Sequence, residues 1–295
     1  MNAVEKVRPA SPCIGACAMD EARGLCTGCA RTRDEIAIWG SADEATRDRV
    51  WRALPARAAA LGLAVRRLPW RGEALLDEVE RRFTEAQGTF VAGVHGAVAE
   101  VLRAPGEAFE ARRAGAALTL RTARAALRLE APPHLAAFEM TRAGAAPLIA
   151  LAVPAGRVGP EGPRALTALG PDTEALLARD AGGMRFDLGL GRRASRFSIR
   201  CSAGLASRVA DHCGAPWPEC PARIGAAVLA ESPVRVVEAP CLRAEVDAPI
   251  PPPEGRSPEG PHTHLMPEVL AQGLDAPPGL ALPKGYILSL LFYPA

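Results

Sequence analysis

The chain has 295 residues, 48% hydrophobic and 23% charged, which is ordinary globular usage and long enough for a small domain plus a medium one. Thirty-five basic residues stand against 33 acidic ones, for a net charge of +2, and aromatics make up 4%. That leaves neither the field nor the stacking surface of a nucleic-acid binder, and no nucleic-acid partner is expected. The start, MNAVEKVRPASPC, lacks the apolar stretch of a signal peptide, and the longest apolar run, Tyr286 to Tyr293, is too short to cross a bilayer. A cytoplasmic location follows as the expectation, in which the eight cysteines serve as ligands or buried thiols rather than disulfides. Only Lys6 and Lys284 are lysines, and the arginine bias beside abundant Ala, Gly and Pro is that of a GC-rich bacterial coding sequence.

The first element is a cysteine loop. Cys13, Cys17, Cys26 and Cys29 fall within seventeen residues, too close for an apolar core among them, so a metal is expected to take its place. Zinc accepts four thiolates and so do iron–sulfur clusters, and the spacing does not choose between them. Gly15, Gly24 and Gly28 lie between the ligands, where the backbone must wrap tightly. Thr32-Arg33-Asp34-Glu35 has the form of a capping box opening a short helix, with Ile36 and Trp39 on one side. Ser41-Ala42-Asp43-Glu44 repeats the device and opens a longer helix carrying Val50, Trp51 and Leu54, which Pro55 is expected to end or kink. Residues 11–62 form the four-cysteine metal-binding module.

Ser11-Pro12-Cys13-Ile14-Gly15, Gly24-Leu25-Cys26, Gly28-Cys29, Arg31-Thr32, Asp34-Glu35-Ile36, Trp39 and Leu54-Pro55-Ala56-Arg57 together resemble the YdhL-like family of small bacterial four-cysteine proteins. That family is of unknown function and is described as iron–sulfur proteins. The resemblance implies that Cys13, Cys17, Cys26 and Cys29 are ligands and assigns no catalytic residue. Three readings stay open: a structural zinc knuckle, a redox or sensing iron–sulfur cluster, and unligated thiols.

Residues 63–70 read as a linker. An amphipathic helix follows with Leu75, Leu76, Val79 and Phe83 on one stripe, closed by Gly88. Phe90, Ala92, Val94, Val98 and Leu102 then alternate as one strand. Further strands are expected at Leu118–Leu120, Leu127–Leu129, Leu148–Val153, Arg185–Leu190, Phe197–Cys201, Val234–Val237, Leu242–Val246 and Ile287–Phe292. Helices are expected at about 203–213, with Leu205, Val209 and Cys213 inward, and after Thr263, with Pro267 in the first turn and Gly273 at the end. Long helices do not alternate with these strands. The expected fold is therefore α+β: a small metal-stabilised four-cysteine knuckle with short helices, then a larger, mainly antiparallel β-rich α+β domain over 71–295.

No P-loop, nucleophile elbow, His-Glu-x-x-His or dinucleotide fingerprint occurs, and Gly189-x-Gly191 reads as a turn. The most pointed feature is Pro261-His262-Thr263-His264-Leu265-x-Pro267-Glu268, after a proline-rich segment at 249–260. Two histidines at i and i+2 could present both imidazoles to one metal, with Glu268 as a third ligand. The form resembles the first cupin motif, but the glycine spacing is one residue longer and no later histidine supplies the second. The other readings are that His262 caps a turn and His264 bonds within a helix start, or that the loop contacts substrate without metal.

Phe186-Asp187-Leu188-Gly189-Leu190-Gly191, Leu282-Pro283-x-Gly285-Tyr286 and Phe292-Tyr293-Pro294 resemble a second bacterial family of unknown function, over about 88–294. The resemblance implies one domain there and no activity. Cys201 and Cys213 are expected in the core, Cys220 on the surface, and His95 on the polar side of its strand. Arg192, Arg193 and Arg196 read as a solvated run or an anion hold. Function is thus expected to be that of a cytosolic metalloprotein whose four-cysteine module transfers electrons, senses or docks a protein partner. The alternatives are a metal-dependent enzyme using His262 and His264, and a non-catalytic interaction protein with structural zinc.

Overall fold

The structure, a computed structural model, describes residues 10–142, 144–159, 161–252 and 259–295. In the cysteine loop, β1 (Met19–Asp20) and β2 (Leu25–Cys26) make a short antiparallel hairpin. Helix α1 (Arg33–Ile38) opens on the expected capping box: Thr32 Oγ1 accepts from Glu35 N at 3.2 Å, and Thr32 N donates to the Glu35 carboxylate at 2.9 Å. Helix α2 (Glu44–Ala60) is capped by Asp43, which accepts from Thr46 N at 2.7 Å. Ser41 does not join in that cap; its hydroxyl donates back to Ile38 O and finishes α1 instead. Pro55 neither ends nor interrupts α2, because Val50, Leu54 and Ala58 lie on one face on both sides of it and are all buried. With Ala30 and Trp39 they give the module a small apolar core beside the cysteine loop.

Val65–Arg67, within the segment read as a linker, is a strand, β3, paired with β9 (Ala136–Arg142). After α3 (Gly72–Thr84) come β4 (Gly88–Val94), β5 (Ala97–Val101), β6 (Glu110–Ala114), β7 (Ala117–Arg121), β8 (Ala125–Glu130), β9 and β10 (Ala145–Pro154). Then follow β11 (Thr167–Pro171), β12 (Met184–Asp187), β13 (Arg196–Arg200), α4 (Ala203–Ala210), α5 (Cys220–Glu231), β14 (Val234–Ala239) and β15 (Leu242–Val246). The chain closes with β16 (His262–Leu265), α6 (Pro267–Ala271) and β17 (Tyr286–Pro294). Every strand pairing among the described residues is antiparallel. The fold is α+β, mostly antiparallel sheet with few helices.

Two sheets carry it. One runs β16-β5-β4-β17-β10-β9-β3 and the other β11-β12-β13-β14-β15-β8-β7-β6, and β4 and β5 pack against β14 and β15. Between them lies the main core, in which Phe90, Val101, Leu127, Phe197, Val237 and Phe292 are at most 3% exposed. Helix α3 adds Leu75, Leu76, Val79 and Phe83 to this core, and α4 and α5 add Leu205, Val209 and Ile224. The run read as one strand over 90–102 is a hairpin turning at His95-Gly96, where Gly96 has φ +97°. A Cβ on Gly93 (φ +108°) would stand 2.5 Å from Ala97 O and 2.9 Å from Val237 of the facing sheet.

The outer faces are also covered. On the first sheet Phe138, Met140, Leu148 and Leu288 meet Ile14 of the cysteine module and Leu280 and Leu282 of a C-terminal segment. Arg67 also donates to Cys13 O at 3.4 Å there. On the second sheet a loop at 172–180 lies over Ala126, Val234 and Val236. It is held by an ionic network: Arg200 reaches Asp172 (2.8 Å) and Glu245 (3.0 Å), Arg243 reaches both carboxylates, and Glu245 accepts from Leu176 N and Leu177 N at 3.0 Å. All four charged side chains are buried. Among the described residues no helix is long and apolar enough to cross a membrane.

Candidate metal centres

The cysteine loop gathers the four thiols without converging them. Cys13 and Cys17 precede the β1–β2 hairpin, Cys26 ends it and Cys29 follows. Cys17 Sγ and Cys26 Sγ are 4.0 Å apart, close to the roughly 3.8 Å that a tetrahedral site with zinc–sulfur bonds of about 2.3 Å requires. Among the described residues, no three of the four sulfurs lie within 4.8 Å of one another. Several donors nevertheless point at sulfur, as they would at a thiolate. Gly15 N donates to Cys13 Sγ, Gly28 N to Cys26 Sγ and Arg31 Nε to Cys29 Sγ, each at 3.4 Å. Burial opposes charge on Cys26, but the N–H groups of Gly28 and Cys29 outweigh it and hold the thiol below its ordinary value. Cys17 is pushed up by its contact with Cys26, and burial raises Cys29 against the pull of Arg31. Gly28 is required by space: a Cβ would stand 1.9 Å from Ala16 O. All eight cysteines are free thiols.

His262 and His264 converge fully. They lie in a strand, not in the loop that the sequence suggested, because β16 pairs with β5, with His262 opposite Glu100 and His264 opposite Val98. In an antiparallel pair, opposed residues project to the same face, so both imidazoles and the Glu100 carboxylate share one side of the sheet. His262 Nε2 is 2.8 Å from His264 Nε2; Glu100 Oε1 is 3.1 Å from His264 Nε2 and Oε2 is 3.8 Å from His262 Nε2. Three donors about 2.1 Å from one ion must be about 3.0 Å apart in octahedral geometry and about 3.4 Å in tetrahedral geometry. The observed separations bracket those values. His262 Nδ1 is 2.8 Å from Gly260 O, the arrangement in which Nδ1–H donates and the Nε2 lone pair is left for a ligand. The hydrogen bond from His264 holds the Glu100 carboxyl below its ordinary range in spite of burial.

Glu268, offered by the sequence as third ligand, sits in the first turn of α6 and is outside this group; Glu100 takes its place from across the ladder. The available signal was a lone carboxylate in the otherwise apolar strand Ala97-Val98-Ala99-Glu100-Val101. Cys213 is exposed and Cys220 buried, the reverse of expectation, because α4 ends at Ala210 and an unforeseen helix, α5, begins at Cys220. Cys201 is in the core as expected, and burial pushes its thiol up to about 12. His95 stands at a hairpin turn, not along a strand, and burial lowers its pKa. Arg192 and Arg193 pair with Asp275 at 2.9 and 2.7 Å, and Arg196 lies 3.9 Å from Asp187, so carboxylates of the chain itself occupy the arginine run.

Residues 74–295 match a family of unknown function (DUF6925), which is most of the chain. The chain belongs to that family. Glu100, His262 and His264 all fall within the DUF6925 match. Residues 11–58 match a second description, protein of unknown function (DUF1289), over the segment that carries the YdhL-like resemblance. The two matches are consistent with two modules, and all four N-terminal cysteines lie in the second. No curated protein and no solved structure matches the chain.

Proposed function

We propose that the DUF6925 domain is a metal-dependent enzyme that holds one divalent transition-metal ion between Glu100, His262 and His264. The observation that carries this reading is the preassembled set of three donors, two imidazole and one carboxylate, at separations that suit a single ion. Structural sites are closed by four protein ligands, whereas catalytic ones leave a position open. Here there are three donors, and the His264 side chain is 30% exposed, which leaves an approach from solvent. A bound ion would supply Lewis-acid chemistry there.

The N-terminal module has its own role in this reading. N–H···S hydrogen bonds to three cysteines, together with the YdhL-like resemblance, support a thiolate-bound zinc ion or iron–sulfur cluster at Cys13, Cys17, Cys26 and Cys29. Ile14 and Cys13 O fasten the module to the sheet face that carries Glu100, which supports an electron-transfer, sensing or docking element serving the larger domain.

Metal analysis of full-length protein purified without oxygen tests both sites. His264→Ala and Glu100→Gln are expected to remove one equivalent of divalent metal and leave the cysteine-bound metal in place, while Cys26→Ser with Cys29→Ser does the reverse. Full metal content in folded His264→Ala and Glu100→Gln protein would sink the enzyme reading. Visible absorption with stoichiometric iron and sulfide identifies a cluster in the module, and a colourless zinc protein identifies a knuckle.

A further inference from the structure

Arg235 occupies a position where the fold calls for an apolar residue. In β14 it stands opposite Ile199 on one side and Val246 on the other, both core residues of the inner sheet face, and it is 2% exposed. Burial lowers its pKa to about 10, so the guanidinium is still charged at neutral pH. Its charge is poorly answered. Nη1 donates to Pro233 O at 2.7 Å, while Nε is buried with no hydrogen-bond partner among the described residues. Asp247, the nearby carboxylate, is paired with Arg179 at 2.7 Å. A buried cation without a matched anion is costly to keep.

The same arginine lines a cavity of about 400 Å³, within the range of small-molecule sites. The walls are otherwise mostly apolar, with Leu188, Phe197, Ile199, Trp217 and Ile224 among them. With Nη1 taken by Pro233 O and Nε closed off from solvent, Nη2 is the guanidinium nitrogen left to meet a ligand in the cavity, where a carboxylate oxygen would form a charge-assisted hydrogen bond with it. Thr263, His264 and Leu265 of β16 also line it, so the cavity borders the metal cluster at His264, while His262 and Glu100 lie outside its lining. We infer that this cavity binds a small apolar carboxylate, its head held by Nη2 of Arg235 and its body packed between α5 and the inner face of the second sheet.

Calorimetric titration of full-length, chelator-treated protein with sodium decanoate, and with decan-1-ol as an uncharged probe of the same length, tests this independently of metal. One decanoate per chain is expected, held at least tenfold more tightly than decanol. Arg235→Met is expected to weaken decanoate at least tenfold and to abolish the preference. Should that variant fail to fold, Gly225→Leu carries the test: Gly225 lines the cavity from α5, and a Cβ there meets nothing within 4 Å, so the side chain enters empty space and should exclude both probes at unchanged thermal stability. Absence of decanoate binding by the wild type, equal affinity for the two probes, or wild-type affinity in either folded variant would overturn the inference.

Discussion

Asp172 keeps its charge in a place from which water is almost excluded. Burial pushes its carboxyl up, but the hydrogen bond from Arg200 and the charge of Arg243 outweigh burial and hold it below the ordinary 3.8. A carboxyl depressed in the folded state stabilises the fold above its unfolded pKa, and that contribution disappears as pH falls through the folded value. Stability of the wild type should therefore drop as pH is lowered from about 5 toward 3. Asp172→Asn should be less stable at pH 7 by about 3–5 kcal/mol, the usual cost of breaking a buried ion pair, and should show a shallower acid slope. Urea midpoints measured across that pH range check both statements. None of these partners was legible in the sequence. Asp172, Arg200, Arg243 and Glu245 are scattered over more than seventy positions, and only the sheet register makes them neighbours. Arg235 was hidden for the same reason, as one more arginine in an arginine-rich chain.

At the scale of elements, apolar alternation was readable in strands with one face in the main core such as β13, β14 and β15, but not in β9, where alanines dilute the pattern although Ala137 lies in that core. It failed for β6, Glu-Ala-Arg-Arg-Ala, whose residues are all exposed, and for β16, whose His-Thr-His-Leu carries no apolar period. Helix α5 escaped because alanine and glycine dilute its stripe. The two histidines were found by spacing, but their third partner needed the pairing of β16 with β5. Gly93 marks where the hairpin of β4 and β5 approaches the facing sheet most tightly. Gly93→Ala adds a methyl against Ala97 O and Val237 at a positive φ, so overpacking and backbone strain combine to about 2–4 kcal/mol of destabilisation. Equilibrium urea unfolding reads this directly, and a loss under about 1 kcal/mol would mean that the sheets can part at little cost.

For the whole molecule, the module and the sandwich rest on unequal foundations. The sandwich has an extensive core between two sheets, whereas the module has five buried apolar residues and its cysteine loop. Metal removal should therefore loosen the fold of the module while the core of the sandwich stays folded. In protein stripped under reducing conditions, the edge-to-face packing of Trp39 on Trp51, with centroids 6.2 Å apart, should loosen and near-ultraviolet circular dichroism should fall. Slow amide exchange in β13, β14 and β15 should persist. Loss of protection throughout the chain would show instead that the two parts unfold as one.

Both large sheets are open, so among the described residues they present four strand edges that could template pairing with another chain. Each is blunted in its own way. β3 is three residues long and carries Arg66 and Arg67; β6 presents Glu110, Arg112 and Arg113; β11 has an irregular register between Ala168 and Gly170 and ends in Pro171; β16 spans four residues, two of them polar imidazoles. A protein rich in antiparallel ladders is thereby made a poor seed for its own aggregation, and the strand that supplies the two histidines is also one of the guards.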